Sequence, residues 1–336
     1  MSSLVNVSIH ASQSPENVRR DLLESLRTRR VNHKFHYDSI KQTNKWLALH
    51  QAHSPSRNDR DCAATYDRAF ASAARTITSR SVHLVGLGCG GGQKDTRLLA
   101  LLKARGKGIS YTPSDVSVPM TLIARQAALS ATPGEKCFPL VCDLATAEDL
   151  PEVLVTHPPS QGCGAAGHAP RATRLITFFG MIPNFEPDDI LPKLAALVRR
   201  GDSLLFSANL APWHDYEAGV KKVLPQYDNE LTRDWLMTFL LDLGVEGGDG
   251  ALTFKAERGV GSLRRIVARF RFRKTRRLVV EGRKVSFLAG ENVRLFFSYR
   301  YTPELVRDEL AKHGLLVCDQ WITKSGEEGV FLCGRK

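Results

Sequence analysis

From residue 81 to about residue 210 the chain alternates short apolar runs with amphipathic stretches of helical length. The apolar runs predict strands near residues 82–87, 109–114, 138–142, 174–179 and 203–208. Helices are predicted to begin near Lys94, Val118 and Asp188, the last preceded by Pro187 and followed by a turn at 200–202. Because strands that alternate with helices form a parallel sheet covered on both faces, the pattern predicts a doubly wound α/β domain.

The helices and strands predicted near the two ends of the chain either join this domain or lie next to it. Residues 14–30 predict a helix, since Ser14 and Pro15 suit its start and apolar residues recur at four-residue spacing. The following stretch, 33–60, is rich in histidine and is predicted to be irregular. A helix over 303–313 and strands over 315–321 and 330–334 are predicted to complete the sheet.

Residues 211–290 interrupt the alternation and predict an inserted, smaller α+β domain. They contain a helical stretch over 229–243, a glycine-rich segment over 244–250 and an alternating run over 263–287. In this run a strand would turn Phe270 and Phe272 inward and the intervening arginines outward. Because no ordered run of exposed aromatic residues accompanies the arginines, a solvated strand face is favoured over a nucleic-acid face.

The composition is that of an ordinary globular protein with more basic than acidic residues. The 336 residues include 47 Lys+Arg and 35 Asp+Glu, for a net charge of +12, and 43% are hydrophobic. The net positive charge is compatible with an anionic partner. Because the acidic residues are interspersed with the basic ones, a nucleic-acid partner is disfavoured, although this alternative stays open. Seven scattered cysteines without a C-x-x-C pair predict a reducing, cytoplasmic compartment and no metal. Neither a signal-peptide pattern nor a membrane-spanning apolar run is found.

A glycine-rich turn follows the first predicted strand. Glycines at such a turn allow a ligand to approach the backbone closely. Gly86, Gly88 and Gly91 fit the dinucleotide pattern G-x-G-x-x-G, whereas Gly86, Gly88 and Gly90 fit the G-x-G-x-G common in methyltransferases. The turn therefore predicts a cofactor site but does not decide between a dinucleotide and the cofactor of methyltransferases.

Two aspartates and a lysine favour S-adenosylmethionine (SAM). Asp115 ends the second strand, where a carboxylate can accept the ribose hydroxyl protons of either cofactor, and Asp143 follows the third, where it can accept the adenine amino hydrogens. A helix N-cap is the structural alternative for each. Because SAM has no pyrophosphate, Lys94 near the helix start could meet its methionine carboxylate.

Together these residues resemble the histidine-specific Nα-methyltransferases of ergothioneine biosynthesis and their fungal relatives, including ergot-pathway enzymes that act on prenylated tryptophan. The resemblance is carried by Phe-His-Tyr-Asp (35–38), the glycine turn through Lys-Asp-Thr-Arg (86–97), Arg-Leu-Ile-Thr-Phe-Phe-Gly (174–180), Pro-Asn-Phe-Glu-Pro (183–187), Gly-Asp-Ser-Leu-Leu (201–205) and Gly-Glu-Asn through Ser (290–298). It implies a Rossmann-like SAM-dependent methyltransferase domain over 61–210 and 291–336. A second, smaller α+β substrate domain would comprise the inserted 211–290, joined by the N-terminal segment 1–60.

The resemblance also implies the site residues. Those expected to bind the cofactor are Gly86, Gly88, Gly90, Lys94, Asp115, Asp143 and Leu144. Those expected to contact the substrate are Tyr37, His53, Gly180, Asn184, Tyr227, Phe296 and Ser298. Tyr37 and Asn184 would orient the reacting amine, and Tyr227 would anchor the α-carboxylate.

Two departures from the family pattern alter the expected substrate. Phe296 stands where the histidine enzymes carry a glutamate that binds the imidazole, while Ser298 is kept. His53 and Ser54 stand where the family has a tyrosine pair. The hypothesis is therefore N-methylation of the α-amino group of a small amino acid or related amine, with an aromatic or apolar side chain rather than histidine.

Three other functions stay open on the sequence. The basic surface would suit an RNA- or protein-directed methyltransferase, and the altered pocket residues would suit an inactive adenosyl-binding protein. A nicotinamide oxidoreductase would use the dinucleotide pattern of the glycine turn. A small-molecule substrate, no membrane association and a monomer or weak homo-oligomer are expected, whereas the substrate's identity and the number of methyl groups are left open.

Overall fold

The computed structural model describes residues 4–156, 172–212 and 214–335, so Cys163 of the seven cysteines lies outside the described residues. The α-helices are α1 (Pro15–Thr28), α2 (Ile40–His53), α3 (Pro55–Asn58), α4 (Arg60–Thr76), α5 (Gln93–Ala104), α6 (Val118–Ala128), α7 (Leu150–Thr156), α8 (Pro187–Leu197), α9 (Tyr216–Val223), α10 (Glu230–Asp242) and α11 (Pro303–Ala311). The strands are β1 (Ser8–Ile9), β2 (Ser81–Leu87), β3 (Gly108–Asp115), β4 (Leu140–Val141), β5 (Thr173–Phe179), β6 (Ser203–Asn209), β7 (Gly250–Arg258), β8 (Arg264–Phe272), β9 (Arg276–Val280), β10 (Arg283–Phe287), β11 (Asn292–Arg300), β12 (Leu315–Ile322) and β13 (Glu328–Arg335). Short 3-10 helices include His33–His36, Ile182–Asn184 and Leu224–Tyr227.

An eight-stranded sheet in the order β1-β4-β3-β2-β5-β6-β13-β12 forms the centre of the molecule. The first six strands of this order run parallel, while β13 is antiparallel to β6 and β12 to β13. This confirms the Rossmann-like α/β fold. The strand order reverses between β2 and β5, and ligands of such sheets bind in the crevice at this reversal.

Alternating side chains of the central strands bury both faces of the sheet. Leu84 and Leu175 belong to the cluster formed with α4 and α5. Their neighbours Val85 and Ile176 point the other way and belong to the cluster formed with α8 and α11. Two covered faces explain why these strands are continuously apolar rather than alternating.

The insert forms a second sheet in the order β11-β8-β7, with a separate β9–β10 hairpin. As expected, Phe270 and Phe272 are buried, whereas Arg271 and Arg273 are exposed. The predicted boundary after residue 290 separates β11 from the insert, whereas β11 pairs with β8 of the insert along its length. The predicted boundary was placed at a glycine turn that lies inside the insert. The start and the end of the insert meet at the bridge between Leu210 and Tyr301.

The stretch 33–60 is helical, so the expectation of an irregular segment is wrong. Ser39 begins α2 by accepting a hydrogen bond from the Gln42 N–H, and Pro55 begins α3. The helix α2 buries few apolar residues, so it lacks the stripe on which the sequence prediction relied. Trp46 and Leu49 of α2 pack against the cluster that includes Trp235 and Phe239 of α10, and ion pairs join Lys41 and Lys45 to carboxylates of the same helix.

Across the described ranges, no helix combines the length and apolarity needed to cross a membrane.

Candidate cofactor and substrate cleft

The glycine turn between β2 and α5 adopts a backbone that favours glycine. Gly88, Gly90 and Gly92 have φ angles of +56°, +52° and +71°, which side chains disfavour. At Gly86 a Cβ atom would lie 2.1 Å from Oδ2 of Asp95. The turn therefore requires glycine for conformation at three positions and for space at a fourth.

Asp95 supports this turn from beneath. Its carboxylate accepts hydrogen bonds from the Tyr111 hydroxyl at 2.7 Å and the Thr177 hydroxyl at 2.8 Å. Burial raises the pKa of Asp95 to about 6. The sequence analysis gave this residue no role, since its hydroxyl partners come from β3 and β5 rather than from nearby in the chain.

Asp115 lies at the end of β3 and is tied directly to the glycine turn. Its Oδ2 accepts the Gly90 N–H at 3.0 Å, and its Oδ1 accepts the Ser117 N–H at 3.1 Å. Burial raises the pKa of Asp115 to about 6 despite these bonds. Ser117, not Asp115, caps α6 by accepting the Met120 N–H, so the helix-cap alternative does not account for this carboxylate.

Asp143 follows β4 and lies beside an N-terminal lysine. Its Oδ1 accepts the Ala145 N–H at 2.9 Å. The buried Lys34 ammonium lies 3.5 Å from Asp143 Oδ2 and 2.6 Å from Asp21 Oδ2. The segment before the α/β domain thus closes this end of the sheet.

A continuous cleft along the carboxyl ends of β2–β5 contains most of the predicted site residues. It consists of two joined pockets of about 280 and 420 Å³. The first, the Asp143 end, includes Asp115, Asp143 and Leu144; the second, the Lys94 end, includes Lys94 and Gly180. Residues that line both pockets form the waist of the cleft: Tyr37, Trp46, Gly88, Gly90, Met181 and Asn184.

At the Lys94 end, Lys94 is held by Tyr66 and Glu328, neither of which was predicted to belong to the site. Lys94 Nζ donates a 2.8 Å hydrogen bond to the Tyr66 hydroxyl and lies 4.0 Å from a Glu328 carboxylate oxygen. Tyr66 in turn donates a short hydrogen bond to Glu328. Burial lowers the pKa of Lys94, against the opposing effect of Glu328. Since an ammonium has three protons to donate, Lys94 can still bind a carboxylate.

The waist brings together the two residues expected to orient the amine. Tyr37 is buried between Trp46 and Trp235, with ring centroids 6.1 and 5.4 Å away, and burial raises the pKa of its hydroxyl. Asn184 ends the 3-10 helix Ile182–Asn184. Within the described residues, neither the Tyr37 hydroxyl nor the Asn184 side-chain amide has a hydrogen-bond partner. Both polar groups are therefore available to a ligand.

Three further expected substrate residues cluster behind the Lys94 end. The Tyr227 hydroxyl donates to Ser298 Oγ at 2.9 Å and accepts a 2.7 Å hydrogen bond from Arg300. Asn209, which lines the Lys94 end, also donates to Ser298, at 3.4 Å. Phe296 packs near Tyr227, with ring centroids 6.3 Å apart. This cluster borders the cleft through Asn209 rather than forming its wall.

Histidine positions in α2 differ from the expectation. His53 is exposed at the end of the helix and lines neither pocket, whereas His50 lines the Lys94 end. The His50 ring stacks on Trp46 with centroids 4.8 Å apart. Burial lowers the pKa of His50 to about 3, so the ring is neutral at physiological pH.

The cleft has the features of a nucleoside-cofactor site. Among the residues that the structure describes, no group of three or more His, Cys, Asp or Glu side chains is arranged to hold a metal ion. The cysteines in the described ranges are free thiols.

Comparison with known proteins finds a family that matches most of the chain. The family described as "Histidine-specific methyltransferase, SAM-dependent" matches residues 18–335. No curated protein matches the chain significantly.

Several solved structures are similar to this chain at low identity. The CcbJ methyltransferase from Streptomyces caelestis is 13% identical, with 81% of this chain and 89% of that chain covered and a TM-score of 0.38. The 1,6-didemethyltoxoflavin-N1-methyltransferase of Burkholderia thailandensis is 13% identical, with 88% and 86% covered and a TM-score of 0.42. The mitomycin 7-O-methyltransferase MmcR is 15% identical, with 97% and 70% covered and a TM-score of 0.41.

Proposed function

Because the chain belongs to the histidine-specific, SAM-dependent methyltransferase family, we propose that it methylates the α-amino group of an amino acid with an aromatic or apolar side chain. The protein is a SAM-dependent methyltransferase, and its acceptor is the subject of this proposal. The observation that carries it is the pair of unpartnered polar groups, Tyr37 and Asn184, at the waist of the cleft. They lie between the two ends that suit the two halves of SAM.

The residues present fit SAM. Asp115 and Asp143 can accept protons from the ribose hydroxyls and the adenine amino group, and Leu144 offers an apolar surface beside them. At the other end Lys94 can bind the methionine carboxylate. The glycine turn leaves room for the ligand between these ends. When bound, SAM supplies an electrophilic methyl group on a sulfonium ion.

The chain's contribution to methyl transfer is positioning. An amine reacts through its neutral lone pair, which must point at the methyl carbon from about 3 Å. The Asn184 amide oxygen can accept an amine N–H, and the Tyr37 hydroxyl, which stays protonated because its pKa is raised, can donate to a second polar atom of the substrate. Water at the cleft can take the proton that the amine releases.

The substrate's carboxylate and side chain are assigned to the side of the cleft at Asn209, with the Tyr227 cluster directly behind the lining. The buried Arg300 guanidinium has no carboxylate partner among the described residues and donates to Tyr227. This cation favours an anionic substrate group on the Asn209 side of the cleft. Behind the lining, Phe296 and Trp235, with ring centroids 5.8 Å apart, form an apolar layer that offers no acceptor for an imidazole N–H. An aromatic or aliphatic side chain suits these surroundings better than histidine.

The test is methylation of a panel of amino acids with SAM, measured by mass increments. We expect aromatic or aliphatic amino acids to gain methyl groups and histidine to gain few. Tyr37→Phe and Asn184→Ala should lower kcat at least tenfold, a loss typical of one positioning contact, with the Kd for SAM unchanged in calorimetry.

Matched controls separate this role from folding. Tyr301→Phe removes a buried hydroxyl that has no hydrogen-bond partner in the described structure, and it should keep full activity. Phe296→Glu restores the acceptor and should raise histidine turnover relative to the other amino acids. Full activity of both waist variants, or turnover of histidine above all other amino acids, would contradict the proposal.

A further inference from the structure

The basic excess of the protein is concentrated in the insert. Residues 250–300 contain 14 Lys and Arg but three Asp and Glu, so they carry +11 of the chain's net +12. The rest of the chain is close to neutral. Such concentration in a single sheet and hairpin is the electrostatic footprint of an anionic partner.

Strand register places part of this charge in one row. Arg269, Arg271 and Arg273 occupy alternate positions at the end of β8 and beyond it, so they share a face at a spacing of about 6.8 Å. Arg271 pairs with Ala251 of β7 and Asn292 of β11, small or neutral neighbours on the same face. Arg271 therefore meets no acidic side chain directly across the strands, whereas Arg269 pairs with Glu257 of β7.

A groove runs over this face. It is lined by Ala251, Thr253, Lys255, Arg269, Arg271, Phe272, Arg273, Gly290 and Asn292. No carboxylate is among these residues, and within the described structure Lys255, Arg271 and Arg273 form no salt bridge; Arg269 is paired with Glu257 at 2.7 Å. Three exposed cations are thus left to an outside partner.

The same face leads to the cleft. Arg294 of β11 pairs in register with Arg269 and lines the Asp143 end of the cleft. The groove and the mouth of the cleft are therefore neighbouring parts of one sheet face.

We propose that this groove binds the phosphate backbone of single-stranded nucleic acid. The guanidinium groups of Arg271 and Arg273 can form bidentate hydrogen bonds with phosphates, and the Lys255 ammonium adds a third cation in the same groove. The groove has no exposed aromatic ring for base stacking, since Phe272 is buried, so the proposed binding uses phosphates alone and is independent of base sequence. The clustering of cations without salt bridges, which the sequence did not show, is the reason to replace the expectation of a solvated face with this proposal. It also has no exposed large apolar side chain to insert into a lipid surface, which disfavours a membrane.

The test measures binding of a fluorescently labelled 20-nucleotide oligouridylate to the full-length protein at several salt concentrations. Three phosphate contacts predict a slope of about −2 for log K against log salt. Arg271→Gln with Arg273→Gln should reduce this slope to about −0.7 and weaken binding about 25-fold at 0.1 M salt. Methylation of small amino acids should be unchanged, which also reports that the variant is folded.

The control removes two charges elsewhere. Lys103 and Arg105 are exposed around the end of α5, and their double substitution by glutamine should keep the affinity of the native protein. Equal loss in this control would mean that net charge alone binds the oligonucleotide and would overturn the proposal. Absence of oligouridylate binding, or groove-dependent binding to phosphatidylserine vesicles in its place, would also overturn it. If the double variant does not fold, Lys255→Gln alone should weaken binding about fivefold.

Discussion

SAM binding should weaken as the pH falls below about 6, because Asp115 then takes up a proton. Burial raises the pKa of Asp115 to about 6, although its oxygens accept the N–H groups of Gly90 and Ser117. A ribose diol needs the ionised carboxylate as an acceptor. Protonation removes that acceptor capacity and also disturbs the bond that holds the glycine turn.

The size of the effect follows from the pKa. At pH 5 about one tenth of the Asp115 side chains would be ionised, so the Kd for SAM should rise about tenfold, or about 1.4 kcal/mol. Above pH 7 the Kd should be constant. The stability of the ligand-free fold has the opposite pH dependence. Since the folded-state pKa of Asp115 exceeds the ordinary value of 3.8, the ligand-free fold loses stability as the pH rises through 6. SAM should therefore raise Tm more at pH 8 than at pH 5.

Calorimetry over pH 5–8 in buffers of different ionisation enthalpy measures both the Kd and the proton released on binding. Asp115→Asn should bind SAM weakly with no pH dependence below 6, whereas Glu135→Gln, at an exposed carboxylate, should behave like the native protein. Asp95, whose pKa is also about 6, is the competing source of such a dependence. A flat Kd in the native protein, or an unchanged slope in Asp115→Asn, would refute the assignment to Asp115.

Three further substitutions test contacts of the cleft. Gly86→Ala should abolish SAM binding in calorimetry, because its Cβ would lie 2.1 Å from Asp95, whereas Gly247→Ala, with no neighbouring atom within 4 Å, should bind normally. Lys34→Met should lower the free energy of unfolding in urea by about 3–5 kcal/mol, since it leaves Asp21 and Asp143 without their buried cation; a loss below 1 kcal/mol would mean that water already screens this pair. Arg300→Gln should raise the KM for the amino acid about tenfold or more in steady-state assays while the Kd for SAM stays constant. A rise in both constants would instead indicate general loosening of the cleft.

The sheet could be predicted from sequence because its determinants are local. Most central strands contain a run of apolar residues, and the helices α6 and α8 start at the capping signals Ser117 and Pro187. The glycine turn and Asp115 follow from the same logic, since they stand at the carboxyl ends of strands that the pattern already defines. Helix α2 was missed because its fully buried residues, Gln42 and Thr43, are polar and its contacts are with α10, nearly 200 residues later in the chain.

The contacts that tune the site are long-range and leave no periodic signal. Lys94 is a visible candidate at a helix start, but its partners Tyr66 and Glu328 come from α4 and β13. Arg300 is one of many arginines of the insert, of which Arg271 and Arg273 are exposed, and only the fold shows that Arg300 is buried against Tyr227.

On the proposed function, Arg300 would also explain how an amino acid can bind although Phe296 stands where the family resemblance implies a glutamate. An apolar ring there offers no acceptor, but the buried cation behind Tyr227 would still attract an anionic group. An α-amino acid carries that anion in its backbone, independent of its side chain. The proposal therefore predicts a change in which side chain is accepted, with the anchor common to all amino acids kept.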